Sequence, residues 1–247
     1  MTVRERPGGP VNASPRLADR DIDGMLFTAE MYGVQLDLLD AVLGSTVPRA
    51  RAAATRWRRL GYAEAGRLGP GASWIWLTRA GLAACGLRYA AIPPALSRLA
   101  HIRAVTTVRL ALAATPAYRE AGAFWRSERR LRARGRPGLR EHVPDGEVHW
   151  PDGAPVPWAG ECWAIEAELT RKTLTRTTVI MRELLTRTGD YGSAGGVVPG
   201  RAARHARALY VCSPAARPTV LRAREALGPL AARLEVRALP SQAAMAP

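Results

Sequence analysis

Between Val143 and Lys172 the chain reads VPDGEVHW, a Pro/Gly-rich turn, and then ECWAIEAELTRK. Asp145, Glu166 and Glu168 fall there on two candidate strands, and Lys172 follows directly. Because side chains alternate along a strand, Val143, Asp145 and Glu147 share one face, while Glu166, Glu168 and Thr170 oppose Ile165, Ala167 and Leu169. Glu128 adds a further acid, near the end of a strand-like segment from Phe124 to Leu131. Carboxylates so placed suit a hard divalent cation, Mg²⁺ or Mn²⁺, with Asp145 and Glu166 as its ligands. Such a cation polarises a phosphodiester and activates water, and a lysine stabilises the charge that develops. The other reading of the same residues is an ordinary solvated sheet face.

Other candidate chemistry is weaker. His142 and His149 flank Asp145, but alternation does not bring all three to one point, so both read as strand-edge residues. His101 sits beside the apolar stripe of a long helix and reads as a structural histidine. SAGGVVPG, residues 193–200, lacks the lysine of a phosphate-binding loop. Cys85, Cys162 and Cys212 are odd in number and widely spaced, which indicates neither a disulfide framework nor a CxxC zinc site.

The elements that must position the acids follow from periodicity. Ile92-Pro93-Pro94 breaks the pattern, and Leu96 to Ala114 then reads as a long helix. After the strand carrying Glu128 and the two acidic strands come a helix from Leu174 to Leu185, a Gly-rich loop over 189–205, and a strand from Ala208 to Cys212. A helix over Pro218 to Leu227 and a last strand over Val236 to Leu239 follow. This αβββαβ order, with Pro144-Asp145, Glu166 and a nearby lysine, resembles the PD-(D/E)xK nuclease-like fold. That superfamily usually carries its lysine two residues after the second acid, where this chain has Glu168. The resemblance therefore leaves three readings: Glu168 in the lysine's role, Lys172 recruited from the next helix, or an inactive descendant.

Upstream, residues 1–16 form a basic arm rich in Pro and Gly, expected to be flexible. Two short helices follow, the first through Ile22, Met25, Leu26 and Ala29, the second through Leu36, Leu38, Leu39 and Val42. A third begins near Ser45 or Thr46 with Pro48 in its first turn. Its apolar stripe, Ala50, Ala53, Ala54, Trp57 and Leu60, leaves Arg49, Arg51, Thr55, Arg58 and Arg59 on the exposed side. Arginines on such a ridge reach phosphates and guanine edges in a major groove. Two strands, Tyr62 to Leu68 and Ser73 to Leu77, flank Gly69-Pro70-Gly71, and Thr78 caps another helix. Three helices and a hairpin is the order of a winged helix-turn-helix, with Arg67 on the wing. Trp74 and Trp76 are expected to pack against the helices.

The expected fold class is thus α+β: the arm, a winged helix domain over 17–91, and an α/β nuclease-like domain over 95–240. With 247 residues and 47% hydrophobic content, the chain has enough apolar side chain for both cores. A formal charge of +15 and a pI near 11.2 favour an anionic partner, double-stranded DNA first. Lys172 is the only lysine among 36 Lys and Arg residues, in a composition that suggests a GC-rich coding genome. The absence of a signal-like apolar segment or membrane span leads to a cytoplasmic expectation.

The segments RWRRLGYAEA, WIWLTRAGL, LSRLAHIRAV, WRSERRLR, HVPDGEV and AIEAELTRK together resemble the actinobacterial replication-relaxation family. That resemblance covers roughly Leu17 to Pro214 and implies a winged helix joined to a nuclease-like domain. It further implies a role in plasmid or mobile-element maintenance, assisting replication or transfer initiation, with a homodimer or replication and transfer proteins as partners. An active metal-dependent endonuclease using Asp145, Glu166, Glu168, Lys172 and Glu128 is one alternative. A transcriptional regulator with a non-catalytic C-terminal domain is the other.

Overall fold

The computed structural model describes residues 17–134, 142–189, 191 and 202–240. The expected basic arm and most of the Gly-rich loop lie outside them.

Helix α1 (Asp19–Glu30) opens with Asp19 and Asp21 in its first turn, where carboxylates meet the helix dipole favourably. Asp21 is buried and also accepts from the Trp57 indole at 2.9 Å and from Arg56, both on α3. Gly24 lets the two helices approach, since a Cβ there would lie 2.3 Å from the Leu43 side chain and 3.0 Å from Trp57. Helix α2 (Leu39–Val42) is short, and α3 (Val47–Arg59) starts with Pro48 in its first turn and buries Ala50, Ala53, Ala54 and Trp57.

The hairpin strands are β2 (Ala63–Gly66) and β3 (Trp74–Leu77), followed by α4 (Arg79–Ala84), whose Thr78 cap accepts from the Gly81 N–H. A strand not foreseen in the sequence, β1 (Val34–Gln35), pairs antiparallel with β3, giving a three-stranded sheet in the order β1-β3-β2. Two residues are too few for a periodic signal, and the left-handed φ of Tyr32 and the open φ of Gly33 supply the turn that brings them back. Trp76 corrects another expectation, while Trp74 is buried. Ile75 and Leu77 face the helical core, so Trp74 and Trp76 lie on the opposite face of β3. Trp76 closes over Gly66 and donates to Glu64 at 3.1 Å.

A 3-10 turn (Leu96–Arg98) leads into α5 (Leu99–Ala113) and α6 (Pro116–Glu120), the latter capped by Thr115. Strand β4 is only Phe124–Ser127, and α7 (Glu128–Arg134) follows at once. The expected longer strand ends because the Ser127 hydroxyl accepts from the Arg130 N–H, an N-cap interaction that favours a helix. Then come β5 (Gly146–His149), β6 (Cys162–Glu168), α8 (Leu174–Thr186), β7 (Arg207–Cys212), α9 (Arg217–Glu225) and β8 (Leu234–Ala238). The sheet order is β4-β5-β6-β7-β8, antiparallel through β6 and parallel from β6 to β8.

Helix α5 covers one face of this sheet, packing Val105 and Val108 in the same cluster as Trp125, Val148, Ile165 and Leu209. Helices α8 and α9 cover the other, with Met181, Leu184, Val220 and Ala223 against Ala164, Ala208 and Tyr210. The first cluster also contains Met25, Trp57 and Ile75, so one apolar core runs through both sheets and across the break at Ile92-Pro93-Pro94. The chain is therefore α+β, with a small antiparallel sheet and a mixed five-stranded one. Among the described residues no helix is long and apolar enough to cross a membrane.

Candidate functional site

The acids predicted from the sequence lie at one end of the five-stranded sheet, but the carboxylate oxygens of Asp145, Glu166 and Glu168 do not all come within 4.8 Å of one another. Glu166 and Glu168 point to the α8–α9 face of β6, where strand register sets Glu166 beside Tyr210. Both are buried, at 4% and 6% exposure. Asp145 stands at the entry to β5, and its Oδ2 accepts from the Ala167 N–H at 2.8 Å. Gly146 makes this position fit: a Cβ there would lie 2.0 Å from the Trp125 ring of the neighbouring strand.

Each carboxylate has its own cationic or titratable partner. His101 on α5 meets Asp145 Oδ1 at 2.7 Å, His142 meets Glu166 Oε1 at 2.6 Å, and Lys172 meets Glu168 Oε2 at 2.5 Å. These three partners are partly exposed; Glu166 and Glu168 behind them are buried, and Asp145 is half-buried. Glu147, two residues beyond Asp145, is wholly buried. It takes Arg204 on both oxygens at 2.6 and 3.0 Å, His205 at 2.9 Å and His149 at 2.9 Å. The chain's only lysine and all four of its histidines thus contact carboxylates of this one cluster.

Glu128 lies next door. Its backbone N–H donates to the Asp145 carbonyl, and its carboxylate accepts from Arg98 at 2.6 Å and Arg132 at 2.8 Å. Tyr32, Arg98, His101, Glu128 and Asp145 line a narrow crevice between α5 and the sheet. On the opposite side of Lys172 a cleft of about 280 Å³ is lined by Arg171, Lys172, Thr173, Thr219 and Arg222. That cleft meets the start of α8, whose Thr173 cap accepts from the Arg176 N–H.

The electrostatics follow from burial. Burial pushes the Glu166 carboxyl up to about 7, opposed by the attraction of His142 and reinforced by Asp145. For His101 and His142 burial disfavours the charged ring, but the carboxylates of Asp145 and Glu166 outweigh it and raise both. Burial would raise Glu147 too, yet the hydrogen bonds from His149, His205 and Arg204 hold it far below the usual carboxylate range. The Tyr210 hydroxyl, buried beside these acids with no hydrogen-bond partner, is raised well above an ordinary phenol by burial and by Glu166, Glu168 and Asp145. At neutral pH the cluster therefore holds protons on groups that can release them, unlike the arginines that make up the rest of the basic residues.

The oxygen donors of Asp145, Glu166 and Glu168 are of the type Mg²⁺ or Mn²⁺ takes. However, the one group of three among the described residues whose ligand atoms all lie within 4.8 Å of each other is Glu147, His149 and Cys162. His149 Nε2 is 2.9 Å from Glu147 Oε2 and 3.7 Å from Cys162 Sγ. This N, O and S set could hold a metal and is of the kind zinc prefers. Arg204 across both oxygens of Glu147 competes with any cation there, and burial with the Glu147 charge raises the Cys162 thiol, which opposes thiolate formation.

Sequence reasoning missed the second carboxylate, Glu147, and the roles of the four histidines. The signal available was their scarcity: His101, His142, His149, His205 and Lys172 are the only basic side chains in the sequence that are not arginine.

The predicted DNA-contacting residues lie elsewhere: Arg51, Thr55, Arg58 and Arg59 share the outer side of α3, Arg49 lines a groove beside Asp21 and Arg56, and Arg67 follows β2 on the hairpin. Arg49, Arg51, Thr55, Arg58, Arg59 and Arg67 are all exposed. Of the α3 arginines Arg56 alone is ion-paired, to Asp21; Arg49, Arg51, Arg58 and Arg59 have no carboxylate partner among the described residues. No protein-family model, no curated protein and no solved structure matches the chain.

Proposed function

We propose that the chain is a DNA-binding protein that docks helix α3 in the major groove of duplex DNA, with the β2–β3 hairpin as a wing and Arg67 against the backbone. The observation that carries this reading is the ridge on α3: exposed Arg51, Arg58 and Arg59 without carboxylate partners among the described residues, above a buried base of alanines and Trp57. Unpaired guanidiniums on a rigid helix match the phosphates and guanine edges of a groove. The +15 charge adds long-range attraction to the same polyanion. The strand order and the acids at the sheet end support a nuclease-like second unit. In this reading the protein assists replication or transfer initiation of a plasmid or mobile element, the role implied by the resemblance to the replication-relaxation family.

Within that unit Asp145 and Glu166 would hold Mg²⁺ or Mn²⁺, which would supply Lewis-acid chemistry at a phosphodiester. His101 and His142 would give up their protons to the solvent as the cation is taken. Lys172 would meet a phosphate entering the cleft beside α8. The competing reading is a regulator whose carboxylates are permanently neutralised by their own partners; the closed ion pairs of Asp145, Glu166 and Glu168 favour it.

Supercoiled plasmid with Mn²⁺, beside Asp145→Ala and Glu166→Ala, separates the two. Metal-dependent nicking that both variants lose establishes the enzyme; no nicking with intact DNA retention leaves the regulator. For docking itself, Arg51→Ala and Arg58→Ala should each weaken duplex retention in a gel shift, and unchanged retention in both would remove α3 from the interface.

A further inference from the structure

Around the edge of the sheet at β8, reaching from the end of α5 to α9, lies a cleft of about 500 Å³. One wall is aromatic. Trp150, Trp158 and Trp163 pack around one another with centroids 5.3 to 5.4 Å apart, and Trp158 is the partly exposed member. The other walls carry Arg207, Arg224, Arg233 and Arg237. Arg207 and Arg237 pair with Glu161 and Glu235, while Arg224 and Arg233 donate only to backbone carbonyls and have no carboxylate within ion-pair distance. Burial lowers the proton affinity of Arg233, opposed by the attraction of Glu161 and reinforced by the like charge of Arg207. Four guanidiniums against the two carboxylates of Glu161 and Glu235, beside an indole wall, match one ligand chemistry: a flat aromatic ring carrying a phosphate.

Two further features point the same way. The Arg207 guanidinium already lies over the Trp163 ring, 5.9 Å from its centroid, so cation and aromatic surface adjoin. The indole N–H groups of Trp150 and Trp158 are buried without an acceptor among the described residues, an arrangement that costs free energy unless a partner is supplied.

We propose that this cleft binds a nucleotide, its base against Trp158 and its phosphate between Arg224 and Arg233. The site is independent of duplex docking by α3. The nucleotide can be free or part of a single strand, and each base stacked on an aromatic ring strengthens binding roughly tenfold or more.

The test is calorimetry on the full chain with thymidine 5′-monophosphate, thymidine, inorganic tripolyphosphate and a short oligothymidylate. Thymidine and tripolyphosphate should each bind at least about tenfold more weakly than the monophosphate, because each lacks one half of the ligand. Oligothymidylate binding more tightly than the monophosphate identifies single-stranded DNA as the source; equal or weaker binding identifies the free nucleotide. Arg224→Gln, and the largely exposed Arg207→Gln as a variant that spares the core, should each lower monophosphate affinity about tenfold. An Arg51→Ala/Arg58→Ala chain should bind it unchanged. Photocrosslinking of a bromodeoxyuridine oligonucleotide should mark the segment from Trp150 to Trp163. Tripolyphosphate binding as well as the monophosphate, folded Arg207→Gln retaining full affinity, or crosslinks confined to α3 would each overturn the proposal.

Discussion

Glu166 and His142 hold a proton between them behind a partly exposed rim, and this makes pH the natural probe of the cluster. Glu166 and the two histidines are raised, so the folded chain binds more protons than the unfolded one from about the ordinary carboxylate value of 4.5 upward. Their stabilisation is complete at low pH and is lost as pH rises through the folded values, about 7 for Glu166 and above 6.5 for His101 and His142. Glu147 works in the opposite sense: its depressed value gives stability that is present above 4.5 and lost as pH falls below it. Thermal stability should therefore peak near pH 4.5 and decline on both sides, on the alkaline side first through Glu166 and then through the histidines. In His142→Gln the alkaline decline should become shallower, which melting curves across pH would show; an unchanged alkaline limb would mean the pair does not carry it. Gly146 is a second residue-scale test. Gly146→Ala forces a methyl into the Trp125 ring and should cost about 1–3 kcal/mol in chemical denaturation.

At the scale of elements, α3 is held to α1 by a polar anchor inside an apolar contact. Trp57 is fully buried and its indole donates to Asp21, so Trp57→Ala should destabilise the fold by about 3–5 kcal/mol, measured by urea titration. The hairpin is tied to the larger sheet through α5. Gln35 reaches the Pro70 and Ala72 carbonyls of the hairpin turn, and Arg103 holds Gln35 and, through two bonds of 2.9 Å, Asp37. The same helix presents His101 to Asp145. Arg103→Ala should accordingly speed amide exchange in the hairpin turn while leaving β6 and β7 protected.

Most of these elements were legible in the sequence because they carry strong local signals. Pro48, Thr78 and the turn at Gly69-Pro70-Gly71 announce α3, α4 and the hairpin, and the alternation of Ile165, Glu166, Ala167 and Glu168 announces β6. What escaped had no local signal. Strand β1 is two residues long, and α7 replaces the end of a strand through one serine cap. The partners of the acids are set by tertiary contacts: His101 reaches Asp145 across 44 positions and His205 reaches Glu147 across 58. The face of the Trp74 and Trp76 pair depended on which side of β3 the helices covered, and alternation alone does not specify that.

For the whole molecule, one continuous core joins a basic helix to a sheet whose end holds buried acids and titratable partners. Positive charge faces outward on α3, the acids at the sheet end are paired with their own partners, and the net charge of +15 gives a positive long-range field. The account stands most directly on α3. Fluorescence anisotropy of a labelled mixed-sequence duplex, titrated across a salt series, reports the number of phosphates neutralised as the slope of log affinity against log salt. The reading predicts that Arg51→Ala and Arg58→Ala each flatten that slope by about 1, with melting temperatures unchanged. Folded variants that keep the full affinity and the full slope would contradict it.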